Sequence, residues 1–262
     1  NDGRKFFWLK SIVSPRQEKA LFELGQPGIY FGKREYRFYP YGTLASHVIG
    51  YTKVNEFDVN YAEISGISGV ERAFENKLAI KNSSKVRNNS IHLSLDLPVQ
   101  AEVEYVLKEW QKRMGAKAGG VVIMNIHNGE IFALASSPDF NANKERGELG
   151  KNKDSSIYFN RVVQGVYEMG STFKIFSVAQ GLEKDLFTLD SLIDTRAFRI
   201  NSRKIEDKYK FNSESSIYEI IVRSSNVGSA RLALMVGEKG LKEIYSKLGL
   251  LEPVRLELRE AN

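Results

Sequence analysis

The feature that most limits the architecture of this chain is a pair of apolar runs turned back on each other. Gly119 to Asn125 and Glu130 to Ala135 are each long enough for a strand, and His127-Asn128-Gly129 lies between them. Asn-Gly flanked by two such runs is the strongest short-range signal for an antiparallel hairpin. The segment before it reads as a helix. Asp96 is a good N-cap, Pro98 suits the first turn, and Val99, Val103, Val106, Leu107, Trp110 and Met114 keep helical spacing up to Gly115. A helix of this length feeding an antiparallel hairpin mixes both kinds of element in one stretch of chain.

A second helix is expected from the turn Tyr167-Glu168-Met169-Gly170. Phe173, Ile175, Phe176, Val178, Ala179 and Leu182 make it apolar nearly all round, so it is expected to be buried. Ser171 and Lys174 are three apart on this helix and share a face, with Cβ atoms about 5–6 Å apart. That places an amine within reach of a hydroxyl, the arrangement of an activated serine nucleophile. Burial lowers a lysine's pKa by disfavouring the charged form, and the positive end of the helix dipole pushes the same way. The spacing alone also has a bland reading, because serine and lysine are both common. A second cluster, Ser224-Ser225-Asn226, ends the short apolar helix expected over Ile217 to Val222. A hydroxyl and a carboxamide two residues apart can point into one cleft, although such residues also serve as helix caps.

The remaining composition narrows the classes. The 262 residues allow two modest domains or one large one, and none is a cysteine, which excludes disulfides, thiolate metal sites and cysteine nucleophiles. His47, His92 and His127 are far apart and lack metal-ligand spacing. No apolar run reaches membrane-spanning length. The first residues are polar with no signal peptide, so an anchor in the natural protein would have been removed. The net charge of +6 is uneven: residues 1–93 hold 14 Lys and Arg against 9 Asp and Glu. No nucleic-acid-binding motif accompanies the excess, so it points to solvated surface or a nearby anionic membrane.

The other expectations follow in chain order. Phe6 to Glu23 suggests a helix or two, the second opened by Ser14-Pro15. Ile29 to Phe31, Glu35 to Tyr39 and His47 to Tyr51 read as strands. Gly69-Val70-Glu71 opens a short helix, and Glu71 is a candidate for an anchoring contact between segments. Lys81 to Ser90 is a polar loop, and Ser137 to about Asn160 is a long polar connection. Leu192 to Ile205 holds short strands and turns. Helices are expected over Ala230 to Met235 and Leu241 to Leu248, the last stopped by Gly249.

Gly170-Ser171-Thr172-Phe173-Lys174 and Ser224-Ser225-Asn226 resemble the first two motifs of the penicillin-binding transpeptidases. Arg161 to Glu168 resembles the family's lead-in to its nucleophile, and the hairpin followed by Ser137-Pro138-Asp139-Phe140 resembles the first strands of its catalytic sheet. Arg37 to Gly42, His47 to Gly50 and Gly69-Val70-Glu71 resemble the non-catalytic pedestal of class B members. Ser-x-Asn, with the Phe6 to Pro40 stretch, is similar to the division (septal) branch.

The resemblance implies an α+β fold: a penicillin-binding/β-lactamase-like domain with an antiparallel sheet flanked by helices over 94–262, and a pedestal over 1–93. It implies a peptidoglycan D,D-transpeptidase in which Ser171 attacks the penultimate D-alanine carbonyl of a stem peptide. Lys174 would be the base, Ser224 and Asn226 would shuttle protons and orient substrate, and the Ser171 N–H would be one oxyanion donor. β-Lactams would acylate the same serine. No metal or organic cofactor is implied. The implied partners are peptidoglycan stem peptides, a polytopic glycosyltransferase and other divisome membrane proteins. The implied location is the inner membrane, with the catalytic part in the periplasm. An acyl-serine β-lactam hydrolase or sensor, and a non-enzymatic divisome scaffold, are the alternatives. The family's third motif, Lys-Ser/Thr-Gly, does not occur in these residues, so the resemblance implies an incomplete catalytic domain.

Overall fold

A computed structural model describes residues 9–10, 13–32, 36–56, 62–78, 90–144 and 155–260. The chain forms two compact units, 1–159 and 160–262. Among the described residues all strand pairs are antiparallel. The expectations for Phe6 to Trp8 and for residues 81–89 lie outside the described residues, as does Glu35 of the second expected strand.

The first unit opens with α1 (Pro15–Glu23). Ser14 caps it: its Oγ accepts from Gln17 N at 3.3 Å, while Gln17 Oε1 accepts from Ser14 N at 3.1 Å. This reciprocal pairing satisfies two donors that the helix start leaves free. Residues 29–31 and 36–38, expected as strands, are irregular. The run expected as a strand over His47 to Tyr51 is instead the short helix α2 (Ser46–Ile49). A brief apolar run does not distinguish a strand from a buried helical turn. Here Gly50 decides, at φ +81°, where a Cβ would lie 1.9 Å from Ser68 O. The hairpin β1 (Thr52–Glu56) and β2 (Ala62–Gly66) follows, then α3 (Gly69–Ala73) and α4 (Glu75–Leu78). Glu71 makes the anchoring contact expected of it. Arg37 Nε donates to Oε1 at 2.6 Å and Nη2 to Oε2 at 3.1 Å, with the glutamate buried.

The helix α5 (Leu97–Met114) begins at Asp96, whose side chain accepts from Val99 N, and stops at Gly115 in the left-handed region. It packs on the hairpin β3 (Gly119–Met124) and β4 (Ile131–Ser137). The contact is specific. The carboxamide of Gln100, fully buried, accepts from Leu134 N at 2.8 Å and donates to Leu134 O at 3.0 Å. It thus occupies the backbone groups that β4 turns away from β3. The same carboxamide donates to Glu104, which also accepts from Ala45 N at 2.8 Å. Tyr39 N donates to Asn143 Oδ1 at 2.9 Å. These bonds tie the segment around residues 39–45 to α5 and to the residues after β4. The expected boundary at 93/94 therefore falls inside the first compact unit.

The second unit carries a 3-10 turn (Gly170–Phe173), α6 (Lys174–Glu183), and the strands β5 (Leu192–Asp194), β6 (Phe198–Ile200), β7 (Arg203–Ile205) and β8 (Glu214–Ser216). Two helices complete it, α7 (Ile217–Val222) and α8 (Asn226–Lys247). Gly237 (φ +73°) kinks α8 between the two helices expected there. Val178, Phe187, Ile193, Ile217, Ile220, Leu232 and Val236 form the core. Phe187 points the tip of its ring at α6 where Gly181 has no Cβ; one would lie 2.0 Å from the ring. The expectation that α6 is buried all round does not hold. Ile175 is exposed, and the buried face includes Ser177 and Gln180.

Candidate active site

Ser171 and Lys174 sit where the 3-10 turn passes into α6, with the Lys174 N–H donating to Ser171 O. The turn is held from behind by rings: Phe173 and Phe176 meet edge-on at 5.1 Å, and Tyr245 of α8 packs on both, at 5.7 and 6.1 Å. Apolar packing on one side leaves the Ser171 side facing outward.

The opposite wall is the α7–α8 junction. Ser224 N donates to Ile221 O at 3.1 Å and Ser225 N to Ile220 O at 2.9 Å. This bond pair closes a helix with a left-handed residue, usually glycine. Here that residue is Ser224, at φ +57°. Ser225 then caps α8, its Oγ accepting from Gly228 N at 2.9 Å. Ser225 is buried, while Ser224 and Asn226 on either side are exposed. The alternation explains the spacing of the motif: the middle residue holds the turn and the outer two face Lys174.

Lys174 joins the two walls. Its Nζ donates to Ser224 O at 2.8 Å, to Ser224 Oγ at 3.0 Å and to Asn226 Oδ1 at 2.8 Å. Ser224 Oγ in turn donates to Ser171 Oγ at 3.1 Å. All four residues expected in the site are therefore brought together. The route differs from the expectation in one respect. Among the described residues no bond joins the Lys174 amine to the Ser171 hydroxyl directly, and the side-chain connection runs through Ser224. The lysine is half-buried in a polar cradle rather than sunk in an apolar core. Partial burial still lowers its pKa, opposed by the negative charge of Asp207.

Counting donors shows what this arrangement can do. A charged lysine has three N–H donors and satisfies all three acceptors, leaving the Ser224 hydroxyl proton to point at Ser171. A neutral amine has two donors and one lone pair. The carbonyl and carboxamide oxygens can only accept, so the lone pair must take the Ser224 hydroxyl proton. Ser224 Oγ is then free to accept from Ser171. Loss of one proton from Lys174 thus turns both hydroxyls around and points the Ser171 proton along a path to the amine.

Asp207, which follows β7, was not singled out in the sequence. It accepts from Ser225 Oγ at 2.7 Å, from the backbone N–H of Asn226, and from Val227 N at 3.3 Å. Nothing in its local sequence marks it, since Glu206-Asp207-Lys208 looks like solvated charge.

The model of the penicillin-binding protein transpeptidase domain matches residues 119–262, and that of the penicillin-binding protein dimerisation domain matches residues 8–91. The chain belongs to the penicillin-binding transpeptidase family. The pair of matches and the division-type relatives put it among class B members. It is 34% identical over 250 residues to the probable peptidoglycan D,D-transpeptidase FtsI of Caulobacter vibrioides, covering 95% of this chain and 40% of the relative. To the peptidoglycan D,D-transpeptidase FtsI of Escherichia coli K12 it is 29% identical over 277 residues, covering 98% of this chain and 45% of the relative. A solved penicillin-binding protein (PBP2) from Helicobacter pylori shares the fold, with a TM-score of 0.70 at 22% identity over 86% of this chain and 48% of that one. The chain therefore spans less than half the length of these relatives.

Proposed function

We propose that this chain carries the nucleophile half of a peptidoglycan D,D-transpeptidase of septal wall synthesis. The observation that carries the reading is the unbroken path from Ser171 through Ser224 to Lys174. In acylation, Ser171 Oγ bonds to the penultimate D-alanine carbonyl carbon of a stem peptide. Its proton passes to Ser224 as the Ser224 proton passes to neutral Lys174. The amide bond to the terminal D-alanine then breaks, and the proton leaves on that amine. In the second half-reaction an amine of a neighbouring stem attacks the ester, the C–O bond breaks, and Ser171 regains a proton. Asn226 orients Lys174 and the substrate amide. Ser171 N–H, at the start of a helix where backbone donors lack partners, serves the developing oxyanion. A β-lactam carbonyl acylates the same oxygen.

The match of residues 8–91 to the dimerisation domain supports a transpeptidase over a simple β-lactam hydrolase. On this reading residues 1–93 act as a pedestal and 94–262 as catalytic domain, with divisome membrane proteins and a polytopic glycosyltransferase as partners. Among the described residues no helix is long and apolar enough to cross a membrane. The proposed place is the periplasmic face of the inner membrane, held by an anchor outside these residues.

The test is incubation of the purified full-length protein with a stem pentapeptide ending in D-Ala-D-Ala and an acceptor amine. D-alanine release with formation of the amide product is expected from the wild type and not from Ser171→Ala. Equal release from both proteins would refute the assignment.

A further inference from the structure

The chemistry above uses every polar side chain that touches Lys174, yet it leaves Asp207 without a part. Three observations give it one. First, its carboxylate accepts three hydrogen bonds from the Ser225–Val227 segment: from the Ser225 hydroxyl and from the Asn226 and Val227 N–H groups. Second, the hairpin that delivers it is fastened to α8 at another point. The Arg231 guanidinium stacks on Phe198 of β6 at 4.2 Å, donates to Arg196 O at 3.3 Å and pairs with Asp194 at 3.4 Å. Third, the segment it grips adjoins the left-handed Ser224, whose backbone is unfavourable for a side-chain-bearing residue. A strained turn persists only where its surroundings over-determine it.

We propose that Asp207 is a positioning residue for acyl transfer, its carboxylate holding the Ser224–Asn226 turn so that Ser224 Oγ, Ser224 O and Asn226 Oδ1 converge on Lys174. The proposal rests on the reading of Ser171 as the nucleophile. Asp207 does not touch the reacting atoms; it acts through Ser225 and the backbone. It has a second effect on the same lysine. Among the described residues it is the charged side chain that acts on Lys174, while the α7–α8 turn presents only neutral acceptors. Its negative charge favours protonated Lys174, so removing the charge makes the amine easier to deprotonate.

These two effects separate the proposal from simple helix capping. A cap contributes stability alone. A positioning carboxylate also sets the plateau of the acylation rate at high pH, and its charge sets where the rate begins to rise.

The experiment measures the second-order rate constant for labelling by a fluorescent penicillin across pH. It compares the full-length wild type with Asp207→Asn, Asp207→Ala, Ser225→Ala and Ser171→Ala, and records melting temperatures alongside. Asp207→Asn keeps the size and one acceptor, and so serves as the folded comparison if Asp207→Ala loses its structure. Both Asp207 variants are expected to lower the plateau by roughly 10- to 100-fold, the loss that an ångström of misplacement produces. They also move the rising limb to lower pH. Ser225→Ala, which loosens the turn but keeps the charge, lowers the plateau with the limb unmoved. An Asp207→Asn plateau within twofold of the wild type overturns the proposal. So does a lowered plateau with an unmoved limb and a matching loss of melting temperature. Wild-type protein that takes up no label, or Ser171→Ala that does, overturns the nucleophile reading itself and is read from its own arms.

Discussion

Replacing Ser224 by glycine and by alanine should invert the usual order of stability while abolishing the same activity. At an ordinary helical position alanine is the better residue, because glycine loses more backbone freedom on folding, by about 0.5–1 kcal/mol. Ser224 is at φ +57°, with its N–H and that of Ser225 closing α7. A Cβ in that conformation costs about 1–2 kcal/mol. Subtracting the glycine entropy leaves glycine ahead of alanine by roughly 0.5–1 kcal/mol at this site. For a chain of this size that is a melting temperature higher by about 1–4 °C. Both variants lack the hydroxyl that links Ser171 to Lys174. Both should therefore lose acylation by a similar factor, on the order of 10²–10⁴ for a lost acid–base group. Thermal melts followed by circular dichroism, with penicillin labelling of the same samples, give the two readouts. Alanine as stable as glycine would refute the strained-turn argument. Glycine that labels at the wild-type rate would refute the relay through Ser224.

Lys174→Ala should lower the acylation rate by roughly 10²–10⁴, far more than replacement of an exposed lysine such as Lys239, as stopped-flow labelling would show. Because neutral Lys174 is the accepting form and burial lowers its pKa, the wild-type rate should rise with pH. It should level off below the ordinary lysine value of 10.5; a rate that falls as pH rises through that window would exclude the amine as base. Arg37→Ala strands the buried Glu71 carboxylate. The cost in a denaturant titration should lie near the lower end of ~3–5 kcal/mol, since the Arg37 side chain is itself 34% exposed. Gln100→Leu leaves the N–H and C=O of Leu134 without partners at about 1–3 kcal/mol each, with a lower melting temperature and no change of the Ser171 environment.

The parts of the fold legible in the sequence are those where local chemistry agrees with the final structure. Asp96, Pro98 and Gly115 bound α5, and Asn-Gly marks the β3–β4 hairpin, because caps and turns are decided within a few residues. The short helix over 217–222 and the division of the last helical stretch into two pieces were legible as well, although Gly237 as the point of the kink was not. The Ser46–Ile49 turn departs from the strand its sequence suggests because its conformation depends on Gly50 lying against Ser68, a contact no local pattern encodes. In the site, Ser171, Lys174, Ser224 and Asn226 were legible through two short motifs. That Ser224 occupies a position suited to glycine was not, since it follows from how α7 ends. Asp207 was hidden for a further reason. It reaches the motif from 18 residues upstream of Ser225, and its partners are backbone groups and one hydroxyl.

The central claim is that Ser171 is the group that becomes acylated. It is tested most directly by treating the full-length protein with benzylpenicillin, digesting it, and locating the adduct by tandem mass spectrometry. The account predicts one penicilloyl group, on Ser171, absent from Ser171→Ala and sharply reduced in Lys174→Ala. An adduct on another residue, or an unmodified Ser171 peptide after prolonged exposure, would contradict it.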